Sequence, residues 1–164
     1  MTSNAKIRPE HLARPAIVYV RQSTLDQGRH HQERRRRQDD LAEHARALGW
    51  REVLVIDEDL GKSGATAANR AGFQRLVAEV SLGRVGAVVS LEVSRLARNN
   101  RDWYQLLDLC VLLNTLIIDA EGIYDPAAYN DRLLLGLKGT MSEAELHILK
   151  GRMLAGLRHK AEKG

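Results

Sequence analysis

Aromatic residues are scarce in this 164-residue chain, with Phe, Trp and Tyr together making up 4% of it. That scarcity argues against an aromatic-rich binding sandwich and for a sheet-and-helix core of Leu, Val, Ile and Ala. Cysteine occurs once, so no internal disulfide can form. Cys110 stands among Leu106, Leu107, Leu109, Leu112 and Leu113, where it reads as a core residue of a buried helix. Runs of about 20 apolar residues, the length that crosses a bilayer, are missing. Met1 to Arg14 holds no apolar stretch of signal-peptide length, and a cytoplasmic protein with no membrane partner is expected. Phosphate-cradling signatures are incomplete too. Gly61-Lys62-Ser63 would need a glycine five residues before Gly61, where Ile56 stands, and no G-x-G-x-x-G follows the first apolar run. The six histidines are scattered, and His30-His31 with a distant lone cysteine is a poor ligand set. Neither a metal nor a cofactor is expected.

Acidic residues are the minority charge. Lys and Arg number 25 against 21 Asp and Glu, a net charge of +4, and the excess is mostly arginine. Its planar guanidinium fork matches phosphate well, which opens nucleic acid as a partner without deciding it. The length suits one domain. Within it we read residues 1–14 as an N-terminal extension, 15–130 as the body, and 131–164 as a long helix of the same domain.

Short β-branched runs at residues 16–20, 53–56, 87–91 and 116–118 read as four buried strands. Helical patterns lie between them at 32–48, 73–82 and 101–113, closed by Gly49, Gly83 and Asn114, residues suited to a left-handed cap. Alternating strand and helix predict an α/β fold with a central, mainly parallel sheet of four to five strands flanked by helices. The last segment has no proline and carries two apolar stripes, Leu134, Leu137, Met141, Ile148 and Leu146, Leu149, Met153, Leu157. A helix that long would run to roughly 50 Å, beyond what so small a body can cover, so another subunit or DNA should cover its far half. Gly136, Gly139, Gly151 and Gly156 each cost about 1 kcal/mol against alanine in a helix, but permit close helix approach.

In open α/β sheets functional groups gather beyond the carboxyl ends of the strands. The segments there contain Arg21-Gln-Ser-Thr24, Asp57-Glu-Asp59, Glu92-Val-Ser-Arg95 and Asp119-Ala-Glu121. A hydroxyl, carboxylates and arginine are thus expected to converge. A serine such as Ser23 would, alone, read as a turn or helix-capping hydroxyl. Each arginine would alone read as a surface charge.

Taken together, Tyr19-Val-Arg21-Gln-Ser23-Thr24, Gln27, Gln32, Asp59, Ser63-Gly64, Arg70, Arg95-Leu-Ala-Arg98 and Glu145 to Arg152 resemble the serine recombinase family of resolvases, invertases and large serine integrases, over about residues 15 to 164. The resemblance implies that residues 15–130 form a resolvase-like catalytic domain and 131–164 a dimerisation helix. It makes Ser23 the nucleophile on a DNA phosphodiester, with Arg21, Arg70, Arg95 and Arg98 around the phosphate. Gln27 and Asp59 become supporting residues, with Asp57 competing for the latter place, and Gln32 and Arg152 become DNA contacts. Double-stranded DNA is the implied substrate, and the implied assembly is a homodimer that becomes a tetramer during strand exchange. The chemistry is consistent, since phosphoryl transfer loads charge onto non-bridging oxygens and bidentate arginines can neutralise it in fixed geometry without a metal. Asp102-Trp-Tyr104 and Asp125-Pro-Ala127 are more similar to the larger serine recombinases than to the small resolvases.

One position departs from the family pattern: Ser94 stands where an aspartate commonly precedes the arginine matched by Arg95. Residues two apart on an extended segment project to one side, so Glu92 is a candidate to return that carboxylate. Strand cleavage unchanged in Glu92→Gln would rule this out. The departure also motivates a second reading, a non-catalytic recombinase-fold module that regulates or binds DNA. A third is a flavodoxin-like or receiver-type domain, disfavoured because no acidic pair ends the first strand. The run Arg34-Arg-Arg-Arg37 reads most simply as a solvated helix face. If it instead tracked phosphates, each contact would add about 0.9 to the salt slope of DNA affinity.

Overall fold

A computed structural model of the chain describes residues 3–20, 30–56, 71–91, 93, 96–97, 99–140, 148 and 151–156, the side chains of 3, 4, 30–34 and 140 excepted. The β-branched runs form strands β1 (Ala16–Tyr19), β2 (Val53–Ile56), β3 (Ala87–Val89) and β4 (Leu116–Ile118), all parallel. The order across the sheet is β2-β1-β3-β4-β5, where β5 (Ile123–Tyr124) pairs antiparallel with β4. Ala16 lies opposite both Val53 and Ala87, and Ala87 opposite Leu116.

Successive strand side chains point to opposite faces, and both faces of this sheet are covered. Ile17, Tyr19, Val88 and Ile117 join one cluster with Phe73, Leu76 and Val80 of α3 (Ala71–Ser81) and Trp103, Leu106, Leu107 and Cys110 of α4 (Asn100–Leu113). Ala16, Val18, Ala87, Val89, Leu116 and Ile118 join the other, beneath Leu41, Ala42 and Ala45 of α2 (His30–Leu48) and Trp50. Cys110 is core, and burial pushes its thiol up to about 12.

The α/β class, the mainly parallel sheet and the three caps agree with the sequence reading. Gly49, Gly83 and Asn114 all take positive φ, at 123°, 73° and 56°. Three details differ. The strand β2 is not fully buried: it lies at the sheet edge, and Leu54 and Val55 are each 39% exposed, while Ile56 is buried and Val53 packs partly buried on the second cluster. Leu112 is 77% exposed, because α4 turns the stripe Trp103, Leu106, Leu107 and Cys110 inward and the opposite face outward. Finally, two-residue β5 carries too little pattern to be read. It forms because Asp119 Oδ1 accepts from the Glu121 and Gly122 amides and turns the chain back on β4.

The last described helix with a continuous backbone, α5 (Tyr129–Thr140), buries Leu135, a residue outside both expected stripes. The Trp103 indole N–H donates to the Leu135 carbonyl at 2.9 Å, and Gly139 meets the same indole, so the glycine does allow α4 and α5 to approach closely. Residues 151–156 are helical and exposed. Met141, Leu146, Leu149 and Leu157 lie outside the described residues.

Residues 3–15 pack onto the body. Ile7 and Leu12 extend the second cluster, Trp50 Nε1 donates to the His11 carbonyl at 3.0 Å, and Lys6 pairs with Asp131 at 2.9 Å. Helix α1 (Pro9–Leu12) brings His11 and Arg14 against the C-terminus of α4. There Arg14 donates to the Leu113 and Asn114 carbonyls at 2.9 and 2.6 Å. A cation at this point satisfies carbonyls the helix leaves open and favours the negative end of its dipole.

Candidate functional site

Because β1 to β4 are parallel, their carboxyl ends share one edge. The connection after β1 leads through α2 to β2 on one side, whereas β2 returns past β1 through α3 to β3. The direction of winding therefore reverses between β1 and β3, the position where open α/β sheets form their functional crevice. The chain enters residues 21–29 from the end of β1 and 57–70 from the end of β2. From β3 it enters 90–99, and from β4 the turn 119–122.

Ser23, Arg21, Gln27, Asp59, Arg70, Arg95 and Arg98 lie outside the described residues, as do Asp57, Glu92 and Ser94. Gln32 is in α2 with its side chain outside them, and Arg152 is exposed on the helical segment 151–156. The structure describes the frame from which these segments leave. Tyr19, the last residue of β1, packs edge-to-face on Phe73, with ring centroids 6.3 Å apart, and so fastens the end of β1 to the first turn of α3. Ser90 N donates to the Ile118 carbonyl at 2.9 Å, continuing the β3–β4 pairing past the strand. Val93 and Leu96 are buried and joined by a 3.0 Å backbone bond. Asn99 then caps α4 by accepting from the Asp102 amide at 2.8 Å.

The described part of this edge holds a buried charge cluster that sequence reading missed in part. Asp119 was expected there, but its partner Lys138 was not singled out. Lys138 Nζ lies 3.3 Å from Asp119 Oδ2 and 3.0 Å from Glu121 Oε2, and 5.2 Å from the centre of the Tyr124 ring. The Tyr124 hydroxyl donates to Asp119 Oδ1 at 3.3 Å. Burial alone would lower the Lys138 ammonium. Its interactions with Tyr124 and Glu121 and the Asp119 charge outweigh that and hold it above the ordinary lysine range. Burial likewise pushes the Tyr124 phenol up. A lysine in the apolar stretch Leu133-Leu-Leu-Gly-Leu137 was the available signal. Chemically the cluster ties α5 to the end of β4. Among the described residues, no three His, Cys, Asp or Glu side chains gather as a metal site, and no helix is long and apolar enough to cross a membrane.

Residues 16–164 match the family described as resolvase, N-terminal domain. The chain is also 57% identical over 161 residues, 97% of its length, to an uncharacterized protein, y4bA/y4pH, of Sinorhizobium fredii (strain NBRC 101917 / NGR234), while spanning 23% of that relative. Among solved structures it is similar to the N-terminal catalytic domain of TP901-1 integrase, with 24% identity, a TM-score of 0.58, and coverage of 82% of this chain and 98% of that one. A resolvase family site-specific recombinase from Streptococcus pneumoniae gives 23%, 0.52, 91% and 99%. The chain belongs to the resolvase N-terminal domain family, and the solved structures share its fold. The flavodoxin-like reading is thereby displaced.

Proposed function

We propose that this chain cuts and rejoins double-stranded DNA through a covalent serine intermediate. One observation carries the reading: residues 16–164 match the resolvase N-terminal domain family, and Ser23, Arg21, Arg70, Arg95 and Arg98 all fall in segments that follow parallel strands of one sheet. The Ser23 oxygen attacks phosphorus, the bond to the 3′ oxygen breaks, and that oxygen leaves as a hydroxyl carrying the proton the serine gave up. The 5′ phosphate stays on Ser23 until a 3′ hydroxyl of another strand reverses the step. The phosphoester bond is conserved throughout, so no nucleotide cofactor is required. Four guanidinia supply the charge that the transition state demands, Gln27 and Asp59 orient them, and Gln32 and Arg152 contact DNA.

Strand exchange needs more than one copy, a homodimer that becomes a tetramer. Supporting this, Ile148, Met153 and Leu154 are between 57% and 62% exposed, apolar surface that the described residues leave uncovered. The reading is tested on nicked duplex DNA that cannot religate. Protein joined to a 5′ phosphate, without added magnesium, supports it. Clean hydrolysis without an adduct would rule out the serine linkage, and DNA binding without cleavage favours the non-catalytic module that Ser94 suggests.

A further inference from the structure

Helix α2 is too long for the sheet it packs on. Its 19 residues extend about 28 Å, whereas four-residue β1 spans about 13 Å. Its contacts with the core, Leu41, Ala42 and Ala45, all lie in its C-terminal half. The helix runs back from the carboxyl end of β1 to the amino end of β2, so its N-terminal half, whose described side chains join neither core cluster, overhangs the carboxyl-end edge. From His30 to Leu41 that overhang is about 16 Å.

The overhang carries arginine. The inward stripe of Ala45, Ala42, Leu41 and half-buried Gln38 continues, one turn further, at Arg35, which is exposed together with Arg36 and Arg37. Among the described residues none of the three makes an ion pair, although Asp39 and Asp40 stand four residues after Arg35 and Arg36. An arginine preceding its acid is the weaker order for such a pair. The helix dipole gives no compensation either, since its N-terminal half favours anions. Three neighbouring guanidinia without an ion pair among the described residues, at the edge that holds the candidate site, match an external polyanion.

We propose that the overhanging turn of α2 binds the sugar-phosphate backbone of duplex DNA through Arg35, Arg36 and Arg37. It thereby holds DNA across the carboxyl-end edge of the sheet. The contact reads no sequence, because phosphates carry none. It rests on the reading that the chain acts on DNA and not on the identity of the nucleophile.

The test is the salt dependence of affinity for labelled random-sequence duplex DNA, measured with the whole chain. Replacing all three residues by alanine should reduce the slope of log affinity against log salt by about 0.9 per lost contact. Lysine at all three should keep most of it. Alanine is the better helix former, and an unchanged circular dichroism spectrum checks that α2 persists. A parental slope in the alanine variant would overturn the proposal, as would a lysine variant as weak as the alanine one. The chemistry is separable: an adduct at Ser23 with an unaltered slope defeats this proposal alone, and a reduced slope without any adduct defeats only the catalytic reading.

Discussion

Lys138 and Asp119, 19 residues apart, form a 3.3 Å ion pair with 7% and 3% of their side chains exposed, and it joins α5 to the end of β4. Removing one buried partner strands the other, but the two halves are unequal. Asp119 also accepts from the Glu121 and Gly122 amides and from Tyr124, so it keeps three donors if the lysine goes. We expect Lys138→Met to cost about 1–3 kcal/mol and Asp119→Ala about 3–5 kcal/mol. The double variant should cost less than the sum, by about 0.5–3 kcal/mol. Urea unfolding of the four proteins measures this, and strict additivity would show that the pair is not coupled.

A second prediction concerns acid. His11 is fully buried, accepts from the Arg8 amide at Nδ1 (2.9 Å) and therefore donates from Nε2 to Asn114 Oδ1 at 3.0 Å. Protonation would place a second donor against the Arg8 amide. Burial, reinforced by Arg8 and Arg14 and opposed by the bond to Asn114, holds the imidazole below its ordinary value of 6.5. Between that value and the lowered folded one the unfolded chain binds the extra proton, so stability falls as pH drops through this interval and levels off below it. His11→Asn retains an acceptor and should flatten this part of the profile. Thermal midpoints measured across pH 5 to 8, the usual histidine range, check it, and equal slopes in the two proteins would refute it.

Glycines in the C-terminal segment should divide by what they face. At Gly139 a Cβ would collide with the Trp103 indole and break its bond to Leu135, whereas at Gly151 nothing among the described residues lies within 4 Å. Gly139→Ala should therefore destabilise by about 1–3 kcal/mol despite alanine's better propensity. Gly151→Ala should stabilise the helix by up to about 1 kcal/mol. Denaturation midpoints of the two variants should move in opposite directions.

These three sites mark the limit of what the sequence discloses. Strands β1, β3 and β4 and the helix caps were legible because buried β-branched runs and left-handed caps are local signals. The exposure of β2 was not, since a run such as Val53 to Ile56 looks the same at an edge as in the middle. Nor was the capping of α4 by Arg14 and His11, which depends on residues about 100 apart meeting in space. The candidate catalytic residues were read from the resemblance to the family and lie outside the described residues, whereas Asp119, read only as one of the carboxylates after a strand, belongs to a structural ion pair. Lys138 went unread because a single lysine in an apolar stretch has no periodic signature.

The last prediction separates Ser23 from the arginines. If Ser23 is the nucleophile, Ser23→Ala should abolish the covalent adduct on nicked DNA yet leave affinity nearly intact, since one hydroxyl contributes little beside phosphate contacts. Arg95→Ala retains the nucleophile and removes a transition-state charge donor, so adduct formation should slow by roughly a hundredfold or more. Ser90 is a poor rival, being 5% exposed immediately after β3. Mass spectrometry of the digested adduct decides the linkage. Modification of the Ser23 peptide is expected, whereas an adduct at Ser63, Ser94 or a tyrosine, or cleavage persisting in Ser23→Ala, would leave the family membership standing and remove Ser23 from the reaction.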